Sequence, residues 1–412
     1  MNTRTSNRPA EAATMSSGMV ALLAAAAGII VANLYYAQPL AGPIGAALGM
    51  PPAATGLVVT LTQIGYTLGL LFIVPLGDLV ENRRLIVTGL LATGAALLLA
   101  ACAGGAWQFL LAALGIGLGA VVAQVLVPFA AHLAPEATRG RTVGKVVSGL
   151  LLGIMVARPV ASLLAGVGGW QAVFWIAAAL VLVLAAVLHA RLPRRVPSSP
   201  LPYPALIASL WSVFAGTPVL RRRALYHAGL FGAFSLFWTV VPQALAGPRF
   251  GLSQNGIAVF ALVGMAGAVA SPIAGRLADD GHTLGATALA LLLGALSFVL
   301  PLFAPEHVGH ARWLGLGLLA VAAIVLDAAV AANLVLGQRA LFALGAEVRS
   351  RLNGLYFALF FAGGAVGSAL GGWVYAEFGW HAALLAGMLL PVLALPAWLW
   401  EAAEQTAARR SA

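Results

Sequence analysis

Arg158 and Asp327 each sit inside a long apolar run, the first preceded by Ile154-Met-Val-Ala and the second by Ile324-Val-Leu. Taken as helices rising 1.5 Å per residue, the runs place Arg158 ~18 Å from one edge and Asp327 ~20 Å from the opposite edge. In a hydrocarbon layer ~30 Å thick, both then lie within ~5 Å of the midplane. A charge at that depth costs roughly 3 kcal/mol on insertion scales, so each must face the bundle interior, water or the other. Asp327 is the one carboxyl well inside such a run. A carboxyl withdrawn from water holds its proton more readily, which makes Asp327 the candidate for proton exchange. Arg158 stays charged and could hold an anionic ligand or pair with Asp327. The alternative is that each is satisfied by polar groups of neighbouring helices.

Other apolar runs carry a sparse set of amides and aromatics: Asn33, Tyr36, Gln38, Gln63, Tyr66, Gln124, Trp238, Gln243, Asn333 and Tyr356. These are the groups a mostly apolar pocket needs to orient a ligand. Interhelical hydrogen bonding or interfacial anchoring would account equally well for any single one. Several other chemistries are excluded. The one lysine lies in Gly144-Lys145-Val146, which is no phosphate-binding Walker loop. Gly115-Ile-Gly-Leu-Gly119 has no preceding strand and reads as close helix packing, as do Gly149-x-x-x-Gly153 and Gly363-x-x-x-Gly367. Glu306-His307-x-x-His310 lacks a metalloprotease order and a third ligand, so no metal or cofactor is expected. Cys102 is the only cysteine, which precludes an internal disulfide or a cysteine-ligated cluster.

The elements that position these residues follow from composition. Of the 412 residues, 61% are apolar and 8% charged, where a soluble protein carries about 25% charged residues. The solvent must be a bilayer. Twelve apolar runs are long enough to cross it: 18–40, 54–76, 85–103, 106–131, 142–165, 170–190, 224–246, 254–275, 284–304, 313–340, 352–375 and 381–400. Runs such as Leu90 to Ala103 show no alternation, so the fold is all-α and not a barrel. The first run reads as a retained helix. Of the 22 basic residues, all but Arg158, Arg249 and Arg312 fall on the side of the N-terminal tail. By the positive-inside rule both termini are cytoplasmic, and the net charge of +10 reflects topology and not a nucleic-acid partner.

The chain repeats itself. Arg139-Gly-Arg-Thr-Val-Gly144 is echoed by Arg349-Ser-Arg-Leu-Asn-Gly354, and Gly169-Trp-Gln-Ala172 by Gly379-Trp-His-Ala382, both at an offset of 210. Leu76-Gly-Asp78 is echoed by Leu277-Ala-Asp279 at 201. The organisation is an N-tail (1–17), a six-helix half (18–190), a linker (191–223), a second six-helix half (224–400) and a C-tail (401–412). Within the Pro-rich linker, Leu206, Ile207, Leu210, Trp211 and Phe214 recur at helical spacing, as in a helix lying on the membrane surface. Parallel six-helix halves with a solute site between them are a transporter arrangement.

At this point the residues resemble the major facilitator superfamily over nearly the whole chain. Gly275-Arg-Leu-Ala-Asp279 fits the family's loop signature, while its first copy keeps Asp78 but has Val74 and Glu81 where glycines would stand. Asn33-Leu-Tyr-Tyr-Ala-Gln-Pro-Leu40 and Pro75-Leu-Gly-Asp78 look like a bacterial branch of sugar or drug efflux permeases. The resemblance implies a cytoplasmic gate in which Asp78 pairs with Arg83 and Arg84; the alternative is a tight turn that sets topology. The same idea extends to Glu136 with Arg139 and Arg141, to Asp279, and to Glu347 with Arg349 and Arg351. Where family exporters carry Gly-Pro-x-x-Gly-Gly in span 5, this chain reads Arg158-Pro-Val-Ala-Ser-Leu163, and Ala113 stands near the usual arginine of span 4. The expectation is a monomeric secondary transporter of the inner membrane, with lipid, a small solute and protons as partners. Proton-coupled efflux is the first reading, and uptake of an organic anion by symport or uniport the second. Against an enzyme, no nucleophile, base and orienting acid converge in the spans; against a receptor, no sizeable soluble domain exists.

Overall fold

The computed structural model describes residues 16–197, 201–303, 311–345 and 348–411. Glu306, His307, His310 and Glu347 lie outside the described residues, as do Arg4 and Arg8 of the N-tail. Among the described residues there is helix and no strand, and nine helical runs are long and apolar enough to cross a membrane. Two of the nine are double. The 53-residue α7 (Arg139–Arg191) breaks at Gly169 (φ 75°), and the 44-residue α14 (Arg349–Val392) breaks at Gly379 (φ 79°). Both glycines open the repeated Gly-Trp motif. The repeat therefore encodes a left-handed residue, which only glycine adopts without strain, at the hairpin between spans 5 and 6 and again between 11 and 12. With the 16-residue α1 (Ser17–Ala32), the passes among the described residues number twelve.

Span 1 is α1, capped by the Ser16 hydroxyl, then an unwound stretch at 33–37 and α2 (Ala41–Ala47). Span 2 is α3 (Leu57–Phe72), which tightens to a 3₁₀ turn at Val74–Asp78 around Pro75. Spans 3 and 4 are α4 (Asn82–Ala101) and the pair α5 (Ala106–Ala120) and α6 (Ala123–Leu133). The two arms of α7 form spans 5 and 6. The linker carries α8 (Tyr203–Gly216), whose Tyr203 hydroxyl donates to the Phe72 carbonyl at 2.8 Å. Span 7 is α9 (Pro218–Ala246); span 8 is α10 (Gln254–Gly264) and α11 (Ala270–Asp279), joined by a 3₁₀ stretch at Met265–Val269. Span 9 is α12 (Thr283–Leu296) and span 10 is α13 (Ala311–Phe342). The arms of α14 are span 11 and the start of span 12, and α15 (Leu395–Ser411) completes the chain.

Lipid tails give no hydrophobic drive between helices, so close packing must hold each half together. Glycine provides it in matching places. A Cβ on Gly153 would meet the Gly28 carbonyl at 2.2 Å, and one on Gly367 would meet the Gly232 carbonyl at 1.9 Å. The two Gly-x-x-x-Gly motifs thus seat span 5 on span 1 and span 11 on span 7. Gly117 does the same for span 4 against the Thr62 carbonyl of span 2, at 2.0 Å.

Candidate functional site

The basic ends of the helices gather on one side of the bundle, here called the basic end. The halves join toward the other side. Thr60 and Ser368 share a hydrogen bond of 2.9 Å, Gln63 donates to Ser235 at 2.7 Å, and a Cβ on Gly56 would strike the Ser368 carbonyl at 2.4 Å. At the basic end the halves part around a cleft of about 70 Å³, bordered by Asp78, Phe129, Arg195, Arg351 and Leu355.

Between these levels, spans 5, 7, 10 and 1 bring five side chains together. Arg158 NH1 stands 4.0 Å from Asp327 Oδ2, an ion pair joining the two halves, with side-chain exposures of 6% and 15%. The Trp238 indole donates to Asp327 Oδ1 at 3.0 Å. The Arg158 guanidinium lies 4.3 Å from the Trp238 ring, 4.8 Å from Phe234 and 5.8 Å from Tyr35. A guanidinium stripped of water is attracted to aromatic faces, so the rings replace part of its hydration shell. Span 8 approaches through bare backbone: a Cβ on Gly264 would sit 2.9 Å from Asp327 Oδ2 and 2.6 Å from the Trp238 ring.

Several buried polar atoms nearby have no protein partner. Both amide atoms of the fully buried Gln38, the Asn33 Oδ1, the Arg158 Nε and the Ser162 hydroxyl are among them. The Asn33 amide donates back to the Ile29 and Ile30 carbonyls, capping the helix where it unwinds. Tyr36 is buried in that unwound stretch. Buried polar groups are nearly always paired, so a cluster of unpaired ones marks a place for water or ligand.

The remaining predicted residues fall into smaller groups. Gln124 donates to the Tyr66 hydroxyl at 3.0 Å, joining span 4 to span 2, and Tyr66 packs on Phe361. Gln243 donates to the Thr239 carbonyl of its own helix. Asn333 and the buried His227 are 3.2 Å apart, with Tyr356 packed beside His227, all inside the second half. These five predicted residues, and Gln63 in the contact between the halves, do not join the Arg158–Asp327 centre.

The basic-end clusters differ from the expected pairing. Among the described residues, Asp78 makes no ion pair with Arg83 or Arg84. Arg83 pairs with Glu81 at 3.4 Å and donates to the His189 and Leu192 carbonyls, tying span 3 to the end of span 6. Arg195 and Arg351 take the place beside Asp78 around the cleft, and Arg195 donates to Asn82 at 2.7 Å. The reason is register: Asp78 ends its 3₁₀ turn pointing between the halves, while Arg83 and Arg84 sit in the first turn of α4. Glu136 likewise forms no ion pair with Arg139 or Arg141 among the described residues, Arg139 donating instead to the Ala131 carbonyl at 3.0 Å. Asp279 pairs with Arg339 at 2.5 Å, and Arg349 donates to the Phe342 carbonyl at 3.2 Å.

Sequence reasoning missed Tyr35, Phe234, Ser235, Ser162 and Ser368. Phe234 stands one helical turn before Trp238, a spacing that was readable. Tyr35 was not, because the unwinding of span 1 rotates it to face Arg158 in place of Tyr36. Also missed was a charged cluster at the basic end, where Arg223 bonds Glu401 at 2.7 Å and Thr287 at 2.9 Å, while Tyr226 donates to Glu401 at 2.8 Å.

Twelve passes in two glycine-packed halves, with a charge pair between them, define a multi-pass membrane transporter of the secondary type. The chain belongs to the Major Facilitator Superfamily, whose profile matches residues 20–341. It is 40% identical to the uncharacterized transporter YgaY of Escherichia coli O157:H7, over 93% of this chain and 95% of that one. It is 34% identical to the "Probable transporter SCO4007" of Streptomyces coelicolor, over 87% and 82% respectively. Among solved structures, it is similar to a bacterial homologue of the human lysosomal transporter Spinster in its inward-facing, unoccupied conformation. That match has a TM-score of 0.71, 16% identity, and covers 93% of this chain and 96% of that one. The nucleoside transporter NupG (D323A mutant) matches with a TM-score of 0.69 and 16% identity, over 92% and 99%. The family and these relatives are transporters and not enzymes.

Proposed function

We propose that the chain is a proton-coupled secondary transporter that moves a small organic solute across the bacterial inner membrane by alternating access. In this reading Asp327 is the proton site and Arg158 its counter-charge. The observation that carries it is the Arg158–Asp327 pair, placed between the halves and held by Trp238. A charge pair spanning two moving bodies is sensitive to their separation, and protonating one partner removes the attraction. The halves 18–190 and 224–400 rock about this point, with 191–223 as tether and both termini cytoplasmic. The contacts of Thr60, Gln63, Ser235 and Ser368 then close the external side. The charged residues around Asp78, Arg351, Asp279 and Arg349 form the cytoplasmic gate, and the protein works as a monomer.

The efflux direction is supported by the likeness of Asn33–Leu40 and Pro75–Asp78 to efflux permeases. Uptake of an organic anion is the second reading, favoured by the unpartnered Arg158 Nε. Everted vesicles loaded with a pH-sensitive dye, energised, and challenged with sugars, drug-like cations and organic acids test the proposal. A compound that dissipates the proton gradient with wild type and not with Asp327→Asn supports it. Transport of an identified compound that stays proton-linked in Asp327→Asn contradicts it.

A further inference from the structure

We infer that the solute is a small organic monoanion with a flat apolar body and a second hydrogen-bonding group, carried electroneutrally with one proton. The inference rests on the proton-coupled reading above in its second direction, uptake of an organic anion together with a proton, and names the substrate class. The centre contains one fixed positive charge and one carboxylate, buried together. The groups facing Asp327 from each packed element are Arg158 of span 5, the Trp238 indole of span 7 and the bare backbone at Gly264 and Gly267 of span 8. Tyr35 of span 1 faces Arg158. No second cation stands there among the described residues. An uncompensated charge in such surroundings is strongly unfavourable, so the single guanidinium supports one anion at a time. While Asp327 is ionised, it fills that role. Once Asp327 is protonated, Arg158 needs another anion, and a carboxylate on the solute supplies it. Proton and anion therefore favour each other's binding, and by linkage each raises the affinity of the site for the other equally. The loaded centre has the same net charge as the empty one, so a full turnover moves no net charge.

The walls define the rest of the solute. Phe234, Trp238 and Tyr35 present ring faces around the guanidinium, suited to a flat apolar body. Gln38 lies in the 3₁₀ turn Gln38–Leu40, which packs against the two helices that carry Arg158 and Trp238. Its amide has a donor and an acceptor free, and Ser162 lies one turn beyond Arg158 on its helix with its hydroxyl also free. A second polar group on the solute satisfies them.

The test uses proteoliposomes of the full chain loaded with a pH dye, with 4-hydroxybenzoate, benzoate, neutral 4-hydroxybenzamide and cationic 4-hydroxybenzylamine as radiolabelled probes. Signals are taken above protein-free liposomes. The expected result is entry of 4-hydroxybenzoate with internal acidification, at a rate unchanged when the membrane potential is clamped to zero, and no entry of the amide or amine. Gln38→Leu should lower 4-hydroxybenzoate transport about tenfold and leave benzoate within about twofold. Arg158→Gln should abolish acid entry. Because that variant strands Asp327, the Arg158→Gln/Asp327→Asn pair, with no unpaired charge, serves as the folded control and should also carry no acid. Entry of the amide or amine with the acids excluded, or no entry of any probe, overturns the substrate class while leaving proton coupling to be judged by the everted vesicles. Acid entry without acidification overturns the proton-coupled reading while the anion class stands.

Discussion

Arg158 and Asp327 are each intolerable alone and acceptable together, and this asymmetry governs what substitution does. Asp327→Asn removes the titrating group and keeps an acceptor for Trp238, but it leaves Arg158 buried without its counter-charge, so stability should fall while proton linkage is lost. Arg158→Lys keeps the charge but replaces a planar group that stacks on three rings with a compact ammonium. Its expected signature is transport retained and weakened, measured beside Arg158→Gln. At Gly264, an added methyl would press on both Trp238 and the Asp327 carboxylate. Gly264→Ala should therefore impair transport about tenfold or more with little loss of expression, since the displaced atoms are those of the centre. Both charged residues were legible in sequence because charge in an apolar run has few explanations. Their meeting was not, since helix adjacency across the halves depends on tertiary packing. Asn333 and Tyr356 were legible as buried polar groups, but the local sequence carried no sign that they would turn toward His227 and away from the centre.

At the scale of elements, glycine and one buried ion pair decide the packing. Gly367 meets span 7 backbone to backbone, where nothing flexible can yield. Gly367→Ala should lower stability by about 1–3 kcal/mol, seen as a lower melting temperature in detergent. Arg223 and Glu401 are buried at 5% and 8% exposure and tie span 7 to α15. Glu401→Ala leaves Arg223 stranded and should cost about 3–5 kcal/mol. The exposed Asp279–Arg339 pair should change stability by less than about 1 kcal/mol when Asp279→Asn is made. The twelve passes and the doubled Gly-Trp hairpin were readable from hydropathy and repetition. The breaks within spans 1, 4 and 8 were not. They lie in stretches as apolar as their neighbours, and it is the facing helices that satisfy or displace their backbone.

For the whole molecule, the side joined away from the basic end and the cleft at the basic end describe one state of a cycle. Thr60 and Ser368 touch across the halves, so replacing both with cysteine in a Cys102→Ser background should allow oxidative cross-linking of this state. Cross-linked protein should stop transporting and recover on reduction, as read by solute flux before and after a thiol reductant. Composition and the repeat made the two-halved architecture plain, whereas the conformational state has no sequence signature, because both states must be built from the same residues. The account depends most on Asp327 taking up a proton when the solute binds. The direct measurement is the pH change of a weakly buffered detergent solution of purified protein as 4-hydroxybenzoate binds. The account predicts uptake of about one proton per bound molecule by wild type and none by Asp327→Asn. Equal uptake by both proteins, or binding to wild type with no uptake, would contradict it.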